Sequence, residues 1–277
     1  MNIDFNNTDQ KVWDLIASGD TLGVFQLESS LGRHYAKLIK PCSIQELSDL
    51  ISLLRPGCLQ GKLEDGKSII DHYIMRKNGE EPVTYLDNRL EPILKDTYGL
   101  MLYQEQSLFI AQQLAKMTMV ESDLLRIAFA KKKVEKMAEM KPIFVNGCVS
   151  NGIDIETANK IFQWIEACQR YSFNLSHSIS FAHHTYLSAL AKTINPKKFF
   201  QIYLKHAKHK INHKEEIKKL VQNARQYRIY TVPHNLADKN TEFKIVGDYI
   251  RVGLLDIKSI GHTDFNKWNK FLSTNPV

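Results

Sequence analysis

Ser43-Ile-Gln-Glu-Leu-Ser-Asp-Leu-Ile-Ser-Leu-Leu-Arg-Pro-Gly57 is the stretch that decides the fold class. Ser43 and Glu46 stand at capping-box spacing, where a hydroxyl accepts a backbone N–H and a glutamate reaches back. Leu47, Leu50, Ile51, Leu53 and Leu54 follow at helical spacing. Arg55-Pro56-Gly57 then stops the helix, because proline cannot continue it and glycine turns the chain. The same grammar recurs outward. Asp9 to Ala17 carries Val12, Trp13, Leu15 and Ile16 as a short amphipathic pattern. Tyr103 to Met117 is apolar at 3–4 spacing, and Glu121 to Met140 reads as one further amphipathic run. Asp154-Ile-Glu-Thr157 opens a helix bearing Ala158, Ile161, Phe162, Trp164 and Ile165. Ser178 to Ile194, apolar and rich in small residues, reads as a buried helix broken by Asn195-Pro196, and Lys197 to Tyr227 as two basic helices with a break near Asn212. After Pro233 the period changes: Glu242 to Val246 and Tyr249 to Leu254 read as short strands around the turn Gly247-Asp248. The expected fold class is mainly α, multihelical, with a small β hairpin near the C-terminus. There is no internal repeat or low-complexity segment.

The 277 residues, 43% of them hydrophobic, suffice for one or two folded domains. A charged fraction of 24% is that of an ordinary globular protein, which argues against wholesale disorder. No apolar run reaches the roughly 18 residues of a membrane span. Met1-Asn2-Ile3-Asp4 lacks the basic-then-apolar order of a signal peptide, so the expected compartment is the cytoplasm. Cys42, Cys58, Cys148 and Cys168 lie far apart without a CxxC pair, which reads as reduced, mostly buried thiols rather than a disulfide framework or zinc knuckle.

The net charge of +7 is uneven. From Lys192 to Arg228, eleven Lys or Arg face only Glu215 and Glu216, a local excess of +9 that leaves −2 for the rest. Such a segment fits a surface that meets phosphates, and it equally fits a solvated helical face. Lys192, Lys197, Lys198, Lys205, Lys208 and Lys210 are its candidate nucleic-acid contacts, with Lys258 further on.

Metal-assisted phosphoryl transfer needs two or three carboxylates at one place, commonly Asp-x-Asp at a strand end, and no Asp-x-Asp is present. Walker loop, GxGxxG and GxSxG are absent too. His206, His209 and His213 fall on one helix face, where a metal site is conceivable, but their lysine neighbours repel a cation. The expectation is no catalytic residue and no metal on this chain. What is present is cationic. Arg126 to Lys133 places Arg126, Ala130 and Lys133 on one helical stripe, with Lys131 and Lys132 beside it, able to hold a triphosphate or simply to form an exposed basic turn. Asn174, Ser176 and His177, just before the buried helix, suit phosphate at a helix N-terminus or cap that helix. Arg55 and Arg76-Lys77-Asn78-Gly79 are by themselves ordinary turns.

These pieces occur in a familiar order. Gly23-Val-Phe-Gln-Leu-Glu-Ser29, Leu54-Arg-Pro-Gly57 and Thr97-Tyr-Gly-Leu-Met-Leu-Tyr-Gln-Glu-Gln106 come first. Asp123-Leu-Leu-Arg126, Lys131-Lys-Lys133, Asn151-Gly-Ile153, Tyr171 with Phe173-Asn174, and Ser176-His-Ser178 follow. Together they resemble the fingers of the bacterial DNA polymerase III alpha family, replicative polymerases of family C, over residues 9 to 261. The resemblance implies a multihelical polymerase fingers domain. It divides the chain into 1–30, the end of the palm leading into the fingers; 31–230, the helical fingers; and 231–277, a fingers tail in which Ile257-Lys-Ser-Ile-Gly261 opens a helix-hairpin-helix-like segment.

It implies further that Arg126, Lys131, Lys132 and Lys133 hold the triphosphate of an incoming dNTP, assisted by Asn174, Ser176 and His177 with Arg55 nearby. Primer-template DNA would lie on the basic helices. The family's palm aspartates cannot be matched here, so the palm and its Mg2+ would come from another polypeptide, and this chain alone would be inactive, in a bacterial or phage-infected cell. Some motif positions depart from the family: Ile127 and Leu175 stand where it has cations, and Ala130 and Ser259 where it has glycines. These departures favour the other reading, a non-catalytic protein derived from polymerase fingers that binds DNA or a host polymerase.

Overall fold

The computed structural model describes residues 8–61, 65–131, 133–169, 171–235 and 240–257, with 260, 263, 266, 267 and 270 beyond. It is mainly α, as expected. The helices are α1 (Gln10–Ala17), α2 (Ser30–Ile39), α3 (Ile44–Leu53), α4 (Pro56–Gln60), α5 (Ile69–Lys77), α6 (Glu91–Leu94) and α7 (Gln104–Ala115). Then come α8 (Met119–Ala130), α9 (Val134–Ser150), α10 (Ile155–Cys168), α11 (Leu175–Ile194), α12 (Pro196–Ala207) and α13 (His213–Gln226). Three strands close the described chain: β1 (Tyr230–Val232), β2 (Lys244–Val246) and β3 (Tyr249–Arg251).

The signals that start and stop helices act locally. Ser43 caps α3 by accepting from the Glu46 N–H at 3.1 Å, but Glu46 turns its own carboxylate to the Cys42 N–H at 2.8 Å instead of completing the box. Pro56 ends α3's run and also occupies the first turn of α4, where its missing N–H costs nothing. Asp154 caps α10 through the Thr157 N–H at 2.8 Å. The single run expected over Glu121–Met140 is two helices, because the chain leaves the helix at Lys131 and re-enters at Val134, and both α8 and α9 pack on α7. Hence Lys133 does not continue the Arg126–Ala130 stripe. His206, His209 and His213 likewise share no helix, since α12 ends at Ala207 and α13 starts at His213.

The chain folds into two compact units, Met1–Gly19 with Ser30–Tyr186, and Asp20–Ser29 with Leu187–Val277. This grouping cuts across the linear partition drawn from the motifs. The first unit centres on α6 to α10, where Leu114, Phe144, Ile161 and Phe162 are buried together. Phe129 and Phe144 flank Phe162 with ring centroids at 5.2 and 5.5 Å. Cys58, Cys148 and Cys168 are buried free thiols, each pushed up to about 12 by burial, while Cys42 is exposed.

The second unit packs Phe200, Leu204, Leu220, Ala224 and Ile250 around Leu22. Its sheet has the order β1-β3-β2: β2 and β3 are the expected antiparallel hairpin, and β1 adds a parallel strand. Gly23 sits at φ +79 against the Phe199 ring, where a Cβ would stand 3.0 Å from the ring's Cζ. Only glycine combines that backbone angle with that approach.

Candidate nucleotide and nucleic-acid interface

In the first unit the sequence motifs converge on one short backbone bridge. Tyr103 and Phe173 pair in parallel: the Phe173 N–H donates to the Leu102 carbonyl at 2.8 Å and the Gln104 N–H to the Phe173 carbonyl at 2.9 Å. The bridge sets the first turn of α7 beside the first turn of α11. Glu105 uses this proximity. One of its oxygens accepts from Asn174 Nδ2 and the other from the Leu175 N–H, both at 2.9 Å. Asn174 in turn caps α11, its Oδ1 accepting from the His177 N–H at 2.9 Å. The helix start expected to attract phosphate thus already holds a carboxylate of the protein, as the helix dipole favours.

Four of the expected nucleotide residues surround this bridge. The Arg55 guanidinium lies over the Phe173 ring, 3.5 Å from its centroid. The exposed His177 ring meets Phe173 edge-on at 5.3 Å and Phe181 at 4.0 Å. Arg126 donates to Asp123 Oδ1 at 2.8 and 3.0 Å and reaches Gln104 Oε1 at 3.5 Å. Asn174 is the fourth. Ser176 is exposed on the first turn of α11, its carbonyl accepting from Ser180 Oγ at 2.8 Å. Lys131 and Lys133 are exposed in the α8–α9 junction, and among the described residues neither is paired with a carboxylate. Lys132 lies outside the described residues. Gln104, Glu105, Asp123 and Phe173 belong to the same cluster. Their motifs were visible in the sequence, but only the fold shows that they touch.

Among the described residues no three His, Cys, Asp or Glu side chains are grouped to hold a metal ion. The two carboxylates at the cluster, Glu105 and Asp123, are engaged by Asn174, Leu175 and Arg126. This donor set does not fit magnesium.

The basic segment of the second unit is largely neutralised in space. Lys197 meets Asp248 at 2.9 Å and Lys205 meets Glu242 at 2.5 Å. Lys208 bridges Glu242 and Asp256 at 3.6 and 3.3 Å, and Lys210 pairs with Glu28 and Glu216 at 3.3 and 3.0 Å. Lys198 binds Gln201 at 3.1 Å.

Lys192 corrects the expectation of a surface contact, because its side chain is wholly buried. Its ammonium donates to the carbonyls of Asp20 and Leu22 at 2.8 and 3.1 Å, to Asp20 Oδ1 at 3.1 Å and to Asn223 Oδ1 at 2.9 Å. A cation so enclosed braces the 20–29 segment against α11 and α13. It meets no DNA. Lys258 and most of the helix-hairpin-helix-like segment lie outside the described residues. No described helix is long and apolar enough to cross a membrane.

Comparison with known proteins agrees with the motifs. Residues 2–152 match the family described as bacterial DNA polymerase III alpha subunit finger domain. The DNA polymerase III subunit alpha of Aquifex aeolicus is 38% identical over 254 residues, covering 91% of this chain and 21% of that protein. That of Thermus aquaticus is 35% identical over 258 residues, 91% of this chain and 20% of the relative. That of Pseudomonas aeruginosa is 36% identical over 270 residues, 94% and 22%. The chain therefore spans about a fifth of the length of the curated relatives it matches. With the family match extending over more than half of its 277 residues, the chain belongs to the bacterial DNA polymerase III alpha subunit finger domain family.

Proposed function

We propose that this chain acts as the fingers of a replicative DNA polymerase, gripping the incoming deoxynucleoside triphosphate and the primer-template while palm carboxylates from outside these 277 residues hold the metal ions. The observation that carries this reading is the gathering of Arg55, Arg126, Asn174 and His177 around the Tyr103–Phe173 bridge. Arg126 offers a planar fork of donors suited to phosphate oxygens, for which the half-exposed Asp123 and, more distantly, Gln104 compete. Lys131 and Lys133 supply further positive charge from the adjoining junction. Docking of phosphate at the start of α11 requires Glu105 to yield its place there. The Arg55–Phe173 stack and the tilted His177–Phe181 pair offer aromatic surface to nucleobases. Template and primer phosphates meet the second unit at α13, whose cations are less engaged than those of α12.

Reconstitution tests the reading. Mixed with a palm-bearing polypeptide and a primed template, the chain is expected to support incorporation of the matched nucleotide, and Arg126→Ala to depress it. The pure chain is expected to extend no primer. Metal-dependent extension by the pure chain, or incorporation indifferent to Arg126→Ala, overturns the proposal.

One observation favours a second reading, a binding protein that docks on a polymerase. Ile127, standing where the family has a cation, joins Leu124, Ala128 and Val134 on the apolar side of a groove between α8 and α9 that Lys133, Glu135, Lys136 and Glu139 also line. A protein of that kind would never select the matched nucleotide, with or without palm and template.

A further inference from the structure

Asp49, on α3, is wholly buried, and among the described residues no cation pairs with it. It accepts from Tyr103 Oη at 2.5 Å, Tyr73 Oη at 2.8 Å and Gln45 Nε2 at 3.0 Å. Burying an uncompensated carboxylate is costly, and an apolar residue of similar size would be easier to enclose. The network that Asp49 anchors suggests what the cost sustains.

Tyr103 Oη also bonds Ser48 Oγ at 2.9 Å. The Ser48 carbonyl accepts from Ser178 Oγ at 2.8 Å, and Ser178 Oγ bonds Ser52 Oγ at 2.7 Å. Tyr103 is one side of the backbone bridge, and Ser178 stands in the first turn of α11, just after Phe173 on the other side. Asp49 therefore ties α3 to the Tyr103 half of the bridge, and its neighbours Ser48 and Ser52 tie the same helix to the start of α11. Four groups of the candidate nucleotide site hang from the two halves, Arg126 by Gln104, Asn174 by Glu105, and Arg55 and His177 by Phe173, while Lys131 and Lys133 stand on the α8–α9 junction.

We propose that Asp49 is a positioning residue of the nucleotide site, fixing the Tyr103–Phe173 bridge through the Tyr103 hydroxyl. The role assigned to the site rests on the functional reading above, whereas the bridge itself does not. Asp49 touches no substrate. It faces Tyr103 on α7, Tyr73 on α5 and, along its own helix, Glu46. Desolvation raises its pKa and the tyrosine hydrogen bonds oppose the rise, as for a carboxyl clamped by donors in an apolar wall.

The test uses the full chain and residue-resolved amide hydrogen exchange. Asp49→Leu is expected to speed exchange at Gln104 and Phe173 at least tenfold, while α12 and α13 amides keep the wild-type rate. Asp49→Asn, which keeps an acceptor for Tyr103, is expected to restore most of the protection. If Asp49→Leu does not fold, Tyr103→Phe, which removes only the hydroxyl, is expected to loosen the same amides. Unchanged protection at Gln104 and Phe173, or equal loss through α9 and α10, overturns the proposal. Inorganic tripolyphosphate, titrated in parallel, separates the two layers. If the wild type does not bind it, the nucleotide reading falls and the exchange result still judges the bridge. If it binds, Asp49→Leu is expected to weaken it at least fivefold, and equal binding removes Asp49 from the site.

Discussion

Arg126 and Lys192 are both paired cations, and depth gives them opposite consequences. Arg126 and Asp123 are 26% and 48% exposed as side chains, so their mutual bond contributes at most about 1 kcal/mol to the fold. A charge-assisted bond to a phosphate in a closed site is worth about 1.5–3 kcal/mol. Arg126→Ala is therefore expected to leave urea unfolding almost unmoved, and to weaken nucleotide incorporation by the reconstituted assembly about 10- to 150-fold. Lys192 is the reverse case. Lys192→Ala takes the ammonium donor from the carbonyls of Asp20 and Leu22, while the Asp20 carboxylate keeps Asn223 and Tyr227, and is expected to cost about 1–3 kcal/mol, read by urea unfolding. A loss below about 1 kcal/mol would show the ammonium to be dispensable. The sequence declared the charge of Lys192 but not its depth. Its partner Asp20 stands 172 positions away, beyond the reach of any local pattern.

At the scale of elements, the charged run Lys192–Arg228 shows what a linear count misses. Its excess of +9 is offset in space by Glu28, Glu242, Asp248 and Asp256, all outside the run, and these settle on α12 and the turn after it. On α13, Lys214, Lys218 and Arg225 are exposed, and among the described residues no carboxylate pairs with them. At about 100° per residue they fall within a sector of about 40°, along about 16 Å of helix. That length matches several phosphates of one strand. Changing all three to Gln is expected to lower the salt dependence of DNA binding by about 0.9 in slope for each phosphate no longer neutralised. Lys197, Lys205 and Lys208 changed together to Gln should leave the slope near its starting value, measured by fluorescence anisotropy across a salt series. Equal slopes for both variants would take the strand off α13. Helix existence was readable because caps and apolar stripes are local. The break at Lys131–Lys133 and the strand Tyr230–Val232 were not, because packing on α7 and pairing with β3 decide them.

For the whole molecule, the family and its fold class were legible because many short motifs occur in order. The assembly of the site was not, since Tyr103 and Phe173 meet only once the helices α7 to α10 have folded between them. Asp49 extends that point to solution behaviour. Burial pushes its carboxyl up to about 7, against about 3.9 for a free aspartate, with Tyr103, Tyr73 and Gln45 pulling the other way. The folded state therefore holds this proton more tightly than the unfolded chain does. Its contribution to stability is fully present below about pH 4 and is lost as pH rises through about 7. Glu46 and Glu81 act in the opposite sense: each is lowered despite burial, Glu46 by Lys77 and the Cys42 N–H, Glu81 by Arg76 and His72, so their support fails only toward acid. Between pH 5 and 8 these two are already ionised, and Asp49 is the carboxylate of the three still titrating. Urea unfolding across that range is expected to show stability falling with pH by at most about 3 kcal/mol in the wild type. Asp49→Asn, which carries no proton to lose, should flatten that fall while leaving the decline below pH 5 in place. The same slope in both proteins would mean that Asp49 is ionised throughout, its tyrosine donors outweighing its burial.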